Sequence, residues 1–188
     1  MNRIVAVVGM TGSGKSAACE VLRRAGWGYI RFGRLTIDRL VEAGWEVTPD
    51  NERRMREALR REHGMGAYAR LLLPRIEEEL ARGPVVIDGL YSWSEYKILK
   101  ERFPAAFSVI AIHASPAVRY ARLAERVEAE ADPARTVRRL SAEEARRRDY
   151  AEIEGIEKGG PIAMADVMIV NETTIEALEE RVRAAALV

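Results

Sequence analysis

The chain has 188 residues, 48% of them apolar and 31% charged, and its acidic and basic residues balance to a formal net charge of +1. That length suits one α/β domain with a substantial core, so a single domain over 1–188 is expected. The dense mixture of Arg and Glu leaves no global bias toward nucleic acid or an anionic membrane, and one cysteine, Cys19, excludes an internal disulfide and a thiolate metal site.

Taken in chain order, Ile4 to Val8 is an apolar run of the kind a buried parallel strand requires. It leads into Gly9, Met10, Thr11, Gly12, Ser13, Gly14, Lys15 and Ser16, which satisfy the phosphate-loop pattern G-x-x-x-x-G-K-[ST] at every fixed position. Ala17, Ala18, Val21, Leu22 and Ala25 then recur at helical spacing up to Gly26. Strand, loop and helix in this order make a cradle for a nucleoside triphosphate. The glycines let backbone N–H groups turn toward phosphate oxygens, and the first helical turn, through Ala17, adds its positive end. Lys15 would reach the β- and γ-phosphates, and the Ser16 hydroxyl would ligate the Mg²⁺ that travels with ATP. A packing turn would need one glycine and no Lys–Ser pair.

Tyr29 to Phe32 predicts a second strand ending at Gly33, and Leu35 to Ala43 a helix. Thr48 or Asp50 caps an Arg- and Glu-rich helix to Arg61, and Gly64 and Gly66 break it. Ala67 to Ala81 follows as a helix that Pro74 is expected to kink or interrupt. Residues 34–82 therefore form a helical insertion far longer than an ordinary crossover. Val85 to Ile87 is the third strand and ends at Asp88 and Gly89, a Walker B arrangement. Asp88 there fits a metal ligand, a base that orients an acceptor hydroxyl, or a cap of the next segment. A helix from Ser94 to Phe103 and a strand from Phe107 to Ile112 follow. Pro116 then opens an Arg-rich helix through about Ala131. Residues 133–158 read as one or two charged helices, and about 127–160 suits a lid. Val167 to Val170 is the last strand, before a helix from Ile175. The alternation predicts a three-layer α/β/α architecture around a five-stranded parallel sheet.

Three further groups carry candidate chemistry. Arg119, Arg122 and Arg126 share a helical face and suit stabilisation of a migrating phosphoryl group, although a solvated ion-pair face explains such a helix equally well. Arg146, Arg147, Arg148 and Asp149 carry the same two readings. Gly33, Arg34, Asp38 and Arg39 follow strand 2 and face the same crevice as the loop, as acceptor contacts. Tyr91, Trp93 and Tyr96 could line an acceptor pocket or pack a helix on the sheet. Neither His63 nor His113 has a spaced partner, so no zinc site is expected. Cys19 reads as a packing residue in a reducing cytoplasm, and no segment has the apolar length of a transmembrane helix.

The order of parts resembles the nucleoside monophosphate kinase group of P-loop proteins, dephospho-coenzyme A kinase and adenylate kinase in particular. It is most similar to a family of dephospho-coenzyme A kinase-like proteins common in archaea. The residues that carry this are the loop at 9–16, Val47-Thr48-Pro49-Asp50-Asn51, Arg60-Arg61-Glu62-His63-Gly64 and Val86-Ile87-Asp88-Gly89. They continue with His113-Ala114-Ser115-Pro116, Arg119, Arg122, Leu123, Arg126, Arg148-Asp149, and Ala165 to Glu172. The resemblance implies that the loop binds ATP, that Arg122 and Arg126 belong to the lid base, and that Asn171 lies beside the adenine. An amide at a strand end can read a base edge, though Asn also simply turns a chain. One departure stands out. Adenylate kinase-like enzymes place Gly-Asp after strand 2 and an Arg four residues beyond the Gly, whereas Gly33 is followed here by Arg34, and position 37 is Ile.

These features predict an ATP- and Mg²⁺-dependent kinase acting on a nucleotide-like or dephospho-coenzyme A-like acceptor. Lys15, Asp88, Arg122 and Arg126 would be catalytic, and Gly33, Arg34, Arg39 and Tyr91 would bind the acceptor. The competing class is a nucleotide-dependent switch ATPase without an acceptor, which the long insertion at 34–82 argues against. No nucleic-acid or membrane partner is expected, and a homodimer stays open.

Overall fold

The computed structural model describes residues 2–125 and 139–186. Five strands form one all-parallel sheet: β1 (Ile4–Val8), β2 (Gly28–Arg31), β3 (Val85–Asp88), β4 (Phe107–His113) and β5 (Val167–Val170), in the order β2-β3-β1-β4-β5. β1 lies at the centre because it is apolar on both sides, and all five of its residues are buried. Its register pairs Val7 with Asp88 on β3 and with Ile110 on β4. The C-terminal ends of all three central strands therefore open onto one edge, where the phosphate loop leaves β1.

Helices cover both faces, as βαβ crossovers require. On one face α1 (Lys15–Arg24) and α9 (Ile175–Ala185) pack Ala18, Cys19, Leu22, Leu178 and Val182 over Val5, Val7 and Ile110. Cys19 is fully buried there as a packing residue. On the other face α4 (Ala67–Arg82) and α5 (Trp93–Arg102) bring Tyr68, Ile76, Leu99 and Phe103 onto Ile4, Ala6, Ile87 and Phe107. Among the described residues no helix is long and apolar enough to cross a membrane.

Most boundaries follow local chemistry. α2 (Arg34–Glu42) starts directly after Gly33, and α3 (Pro49–His63) is capped by Thr48, whose hydroxyl accepts from the Asn51 N–H, with Pro49 in its first turn. α5 starts in a capping box between Ser92 and Glu95. Of the two outcomes expected at Pro74, a kink or an interruption, the second does not occur: α4 runs through it as one helix. Arg70 and Pro74 are both exposed, so water can satisfy the carbonyl that proline leaves without a donor. α6 (Pro116–Ala124) is followed by Glu125, and its expected continuation to Ala131 lies outside the described residues. α7 (Ala142–Ile156) and a short α8 (Gly159–Ala163) occupy the second half of the expected lid, and α8 has no clear sequence signal.

Candidate functional site

The loop after β1 keeps its shape through glycines at positive φ, where another residue would be strained. Gly14 has φ 104°, and a methyl there would lie 2.3 Å from Asn171 Nδ2. Gly9 has φ 142°, with the Ile112 carbonyl oxygen 2.3 Å from where a methyl would sit. α1 begins with no side-chain cap, which leaves its first N–H groups to whatever lies in front of the loop. Ser13 Oγ is buried with no hydrogen-bond partner. Lys15 Nζ donates to the Met10 carbonyl at 2.9 Å, folding the ammonium over the loop. An uncapped helix start, an orphaned hydroxyl and a bent-back lysine together fit an anion of phosphate type.

Two tertiary bonds to its backbone hold this loop, and further bonds brace the residues that make them. Arg119, 4% exposed, donates from Nη1 to the Thr11 carbonyl at 3.0 Å, and its guanidinium grips Asp149 of α7 through bonds of 3.0 and 2.6 Å. Its Nε donates to the Ala114 carbonyl, and Tyr120 donates its hydroxyl to Asp149 as well. Arg119 is thus a structural clamp that ties loop, α6 and α7 together. Asn171 Nδ2 donates to the Ser13 carbonyl at 2.8 Å, so the amide proposed to read a base spends one donor on the loop itself. Arg122 Nη1 donates to the Asn171 carbonyl at 2.9 Å and ties α6 to the end of β5. Arg126 lies outside the described residues.

Asp88 stands at the end of β3, 7% exposed, and its Oδ2 accepts from the Tyr29 hydroxyl at 2.8 Å. Burial, followed by the Asp88 charge, pushes the Tyr29 phenol up, so it remains a donor. Ser16 is exposed at the start of α1. A hydroxyl and a carboxylate beside a phosphate cradle are the hard oxygen donors that Mg²⁺ takes, and the residues present fit that ion.

In front of the loop lies a charged cluster that the sequence does not announce. Glu152 of α7 accepts from Arg148 Nε at 2.9 Å, from the Thr11 hydroxyl at 3.3 Å and from Lys158 Nζ. Lys158 is 2% exposed, and its ammonium lies 5.3 Å from the centre of the Tyr91 ring. Burial tends to raise the Glu152 carboxyl, but the Lys158 and Arg148 charges overcome it and hold it at about 2. Lys15 is lowered to about 7 by burial first and then by Lys158, against the opposing pull of Glu152 and Asp88. Glu152 was hidden among the many Glu of Arg-rich helices. Lys158 had one usable signal: lysine is scarce beside arginine in this chain, being confined to positions 15, 97, 100 and 158.

The acceptor candidates sit differently. Gly33 has an ordinary helical φ of −61° at the start of α2. Arg34 pairs with Asp38 and Arg39 with Glu42, each at 2.7 Å on exposed surface. Tyr91 packs its ring over Gly89, beside the loop cluster. Trp93 and Tyr96 stack on each other at 4.9 Å, and Tyr96 meets Phe107 edge-on, the packing alternative for that pair. Deeper in the insertion, Tyr68 and Thr36 share a buried hydrogen bond of 2.7 Å, with the Arg60 guanidinium 5.7 Å from the Tyr68 ring centre. Glu95 is fully buried; one oxygen accepts from the Tyr91 and Ser92 N–H groups, while Oε1 has no partner, and neither does Arg60 Nε. Burial pushes the Glu95 carboxyl up to about 7, against those two N–H groups and the Arg60 charge.

Comparison with known proteins agrees with this fold. A family model described as an AAA domain matches residues 5–154. A UPF0200 protein of Thermococcus gammatolerans is 34% identical over 183 residues, which span 96% of this chain and 92% of the relative. Among solved structures, shikimate kinase from Bacteroides thetaiotaomicron superposes with a TM-score of 0.59 at 15% identity, covering 99% of each chain. A gluconokinase from Sinorhizobium meliloti gives 0.56 at 19% identity, covering 99% of this chain and 93% of that one. The shared feature is the fold: five parallel strands with helices, in the P-loop kinase-like arrangement.

Proposed function

This chain belongs to the UPF0200 family of P-loop proteins, and from that premise we propose that it is an ATP- and Mg²⁺-dependent kinase for a small nucleotide-like or dephospho-coenzyme A-like acceptor. One observation carries the reading. The uncapped start of α1 and the folded-over Lys15 meet the Asp88 carboxylate at the sheet edge, where the register sets Val7 beside Asp88. That suits a donor site for a triphosphate with an acid at hand, and the long helical insertion of α2, α3 and α4 between β2 and β3 is the region assigned here to an acceptor.

When bound, Mg²⁺ would neutralise charge on the β- and γ-phosphates, and Ser16 and Asp88 are the residues that would hold it. The chain's own contribution is positional. Loop N–H groups and Lys15 hold the phosphates where charge develops during transfer, in a site that needs little reorganisation. The acceptor hydroxyl oxygen forms a bond to the γ-phosphorus as the bond from that phosphorus to the β,γ-bridging oxygen breaks, and ADP departs. The hydroxyl proton passes to Asp88 or to water. Tyr29, bonded to one Asp88 oxygen, fixes the carboxylate's orientation for either task.

The test is a phosphoryl-transfer screen with ATP and Mg²⁺ against nucleoside monophosphates, dephospho-coenzyme A, gluconate and shikimate, with Lys15→Ala as the blank. Transfer to one acceptor that falls about 10³-fold in the blank supports the reading. Lys15-dependent ATP hydrolysis with no acceptor phosphorylated replaces it with a switch ATPase.

A further inference from the structure

Glu152 presents an unusual arrangement for a surface-helix glutamate. Its side chain is 12% exposed and its two oxygens collect Arg148 Nε, the Thr11 hydroxyl and the ammonium of Lys158, itself 3% exposed at the side chain. Thr11 belongs to the phosphate loop, and the charges of Lys158 and Arg148 both act on Lys15, the residue that serves the β- and γ-phosphates. Two cations and a loop hydroxyl thus converge on one carboxylate in front of the loop. A buried ion pair is weak evidence for stability, because desolvation of both partners roughly cancels their attraction. The pair therefore needs a second use, and its place on the loop supplies one.

Resting on the kinase reading above, we propose that Lys158 is a further residue that contacts the terminal phosphoryl group of the triphosphate, and that Glu152 stands in for that group while the site is empty. A carboxylate offers two oxygens and one charge. A terminal phosphate offers three oxygens and more charge, and so outcompetes it for the same donors. ADP lacks the γ-phosphoryl and leaves Glu152 in place. The cluster therefore discriminates ATP from ADP, and the discrimination is set by how tightly Glu152 holds Lys158. Tyr91 completes the device, because the ring face beside the Lys158 ammonium keeps the cation favourable in a buried setting as Glu152 withdraws.

The experiment measures binding of a non-hydrolysable ATP analogue and of ADP, both with Mg²⁺, to the full chain and to Lys158→Met, Lys158→Arg, Glu152→Gln and Lys15→Ala. Lys158→Met is expected to weaken the ATP analogue about tenfold and to change ADP by no more than about twofold, with Lys158→Arg restoring most of the loss. Glu152→Gln removes the competing charge and is expected to tighten the ATP analogue several-fold with ADP unchanged. Thermal melts establish that each variant is folded, and Glu152→Gln keeps shape and hydrogen-bonding capacity should Lys158→Met fail to fold. An unchanged ratio of ATP to ADP affinity in Glu152→Gln, or in a folded Lys158→Met, overturns the proposal. Should Lys15→Ala bind both nucleotides as the parent does, the donor-site reading itself falls, a result distinct from the first.

Discussion

The two sides of the sheet edge are built on opposite terms. Around the phosphate loop, Arg119, Asp149 and Asn171 are each buried and bond the loop or one another across long stretches of chain. On the α2 side, Arg34 and Arg39 make short-range pairs along their own helix, with side chains 48% and 43% exposed. A buried bond that spans elements fixes geometry, whereas a solvated pair one turn away costs little to break. The difference teaches that the geometry of the loop is set by buried bonds across the fold, whereas the arginines of α2 are held only by exposed pairs along their own helix.

The largest blow to this contrast should come from Arg119→Ala. It strands a buried Asp149 and frees Thr11, and should cost about 3–5 kcal/mol of stability in denaturant unfolding, with nucleotide binding lost in parallel. Glu95 tests the buried core beneath α4 and α5. Its carboxyl sits at about 7, above the ordinary 4.5, so the folded state holds a proton that the unfolded chain releases. The sign follows: stability associated with Glu95 is greatest at low pH and declines as pH rises from about 4.5 to 7. Glu95→Gln removes that slope, and the gain of the variant over the parent should grow by roughly 3 kcal/mol across the window, read from unfolding at pH 4.5 and 7.5.

Gly14→Ala should follow, weakening ATP binding about tenfold through the strained φ and the clash with Asn171. Adding Asn171→Ala relieves the clash but not the backbone strain, so a calorimetric titration of the double variant should show partial recovery. Smallest of all, Arg34→Ala or Arg39→Ala should alter stability by less than about 0.5 kcal/mol. If these arginines serve the acceptor, its KM rises while the KM for ATP stays put, and a change in both would blur the two sides into one.

The sequence made the sheet legible because its strands are apolar runs bounded by turns. β5 and the start of α9 fall where Val167 to Val170 and Ile175 predict them, and β1 with its loop could be placed from pattern alone. Pro74 does not interrupt α4 because helix breaking is a local rule, and solvent exposure offsets the lost hydrogen bond. The loop residues of the candidate site were readable for the same reason as the strands, since their chemistry is contiguous. Glu152, Lys158 and Glu95 were not, because their meaning lies in partners met through tertiary contact. Within an Arg- and Glu-rich helix, nothing local separates a glutamate that holds Lys158 from one that faces water.

The hydrogen bonds behind the loop also set an order of events during synthesis. Thr11 waits for Arg119, Arg119 for Asp149, and Ser13 for Asn171, whose amide is 158 residues downstream. A ribosome makes the phosphate loop well before the residues that support it. Nucleotide capture should therefore wait until Asn171 has been made, and a product stalled before it that carries the full loop motif should remain blind to ATP.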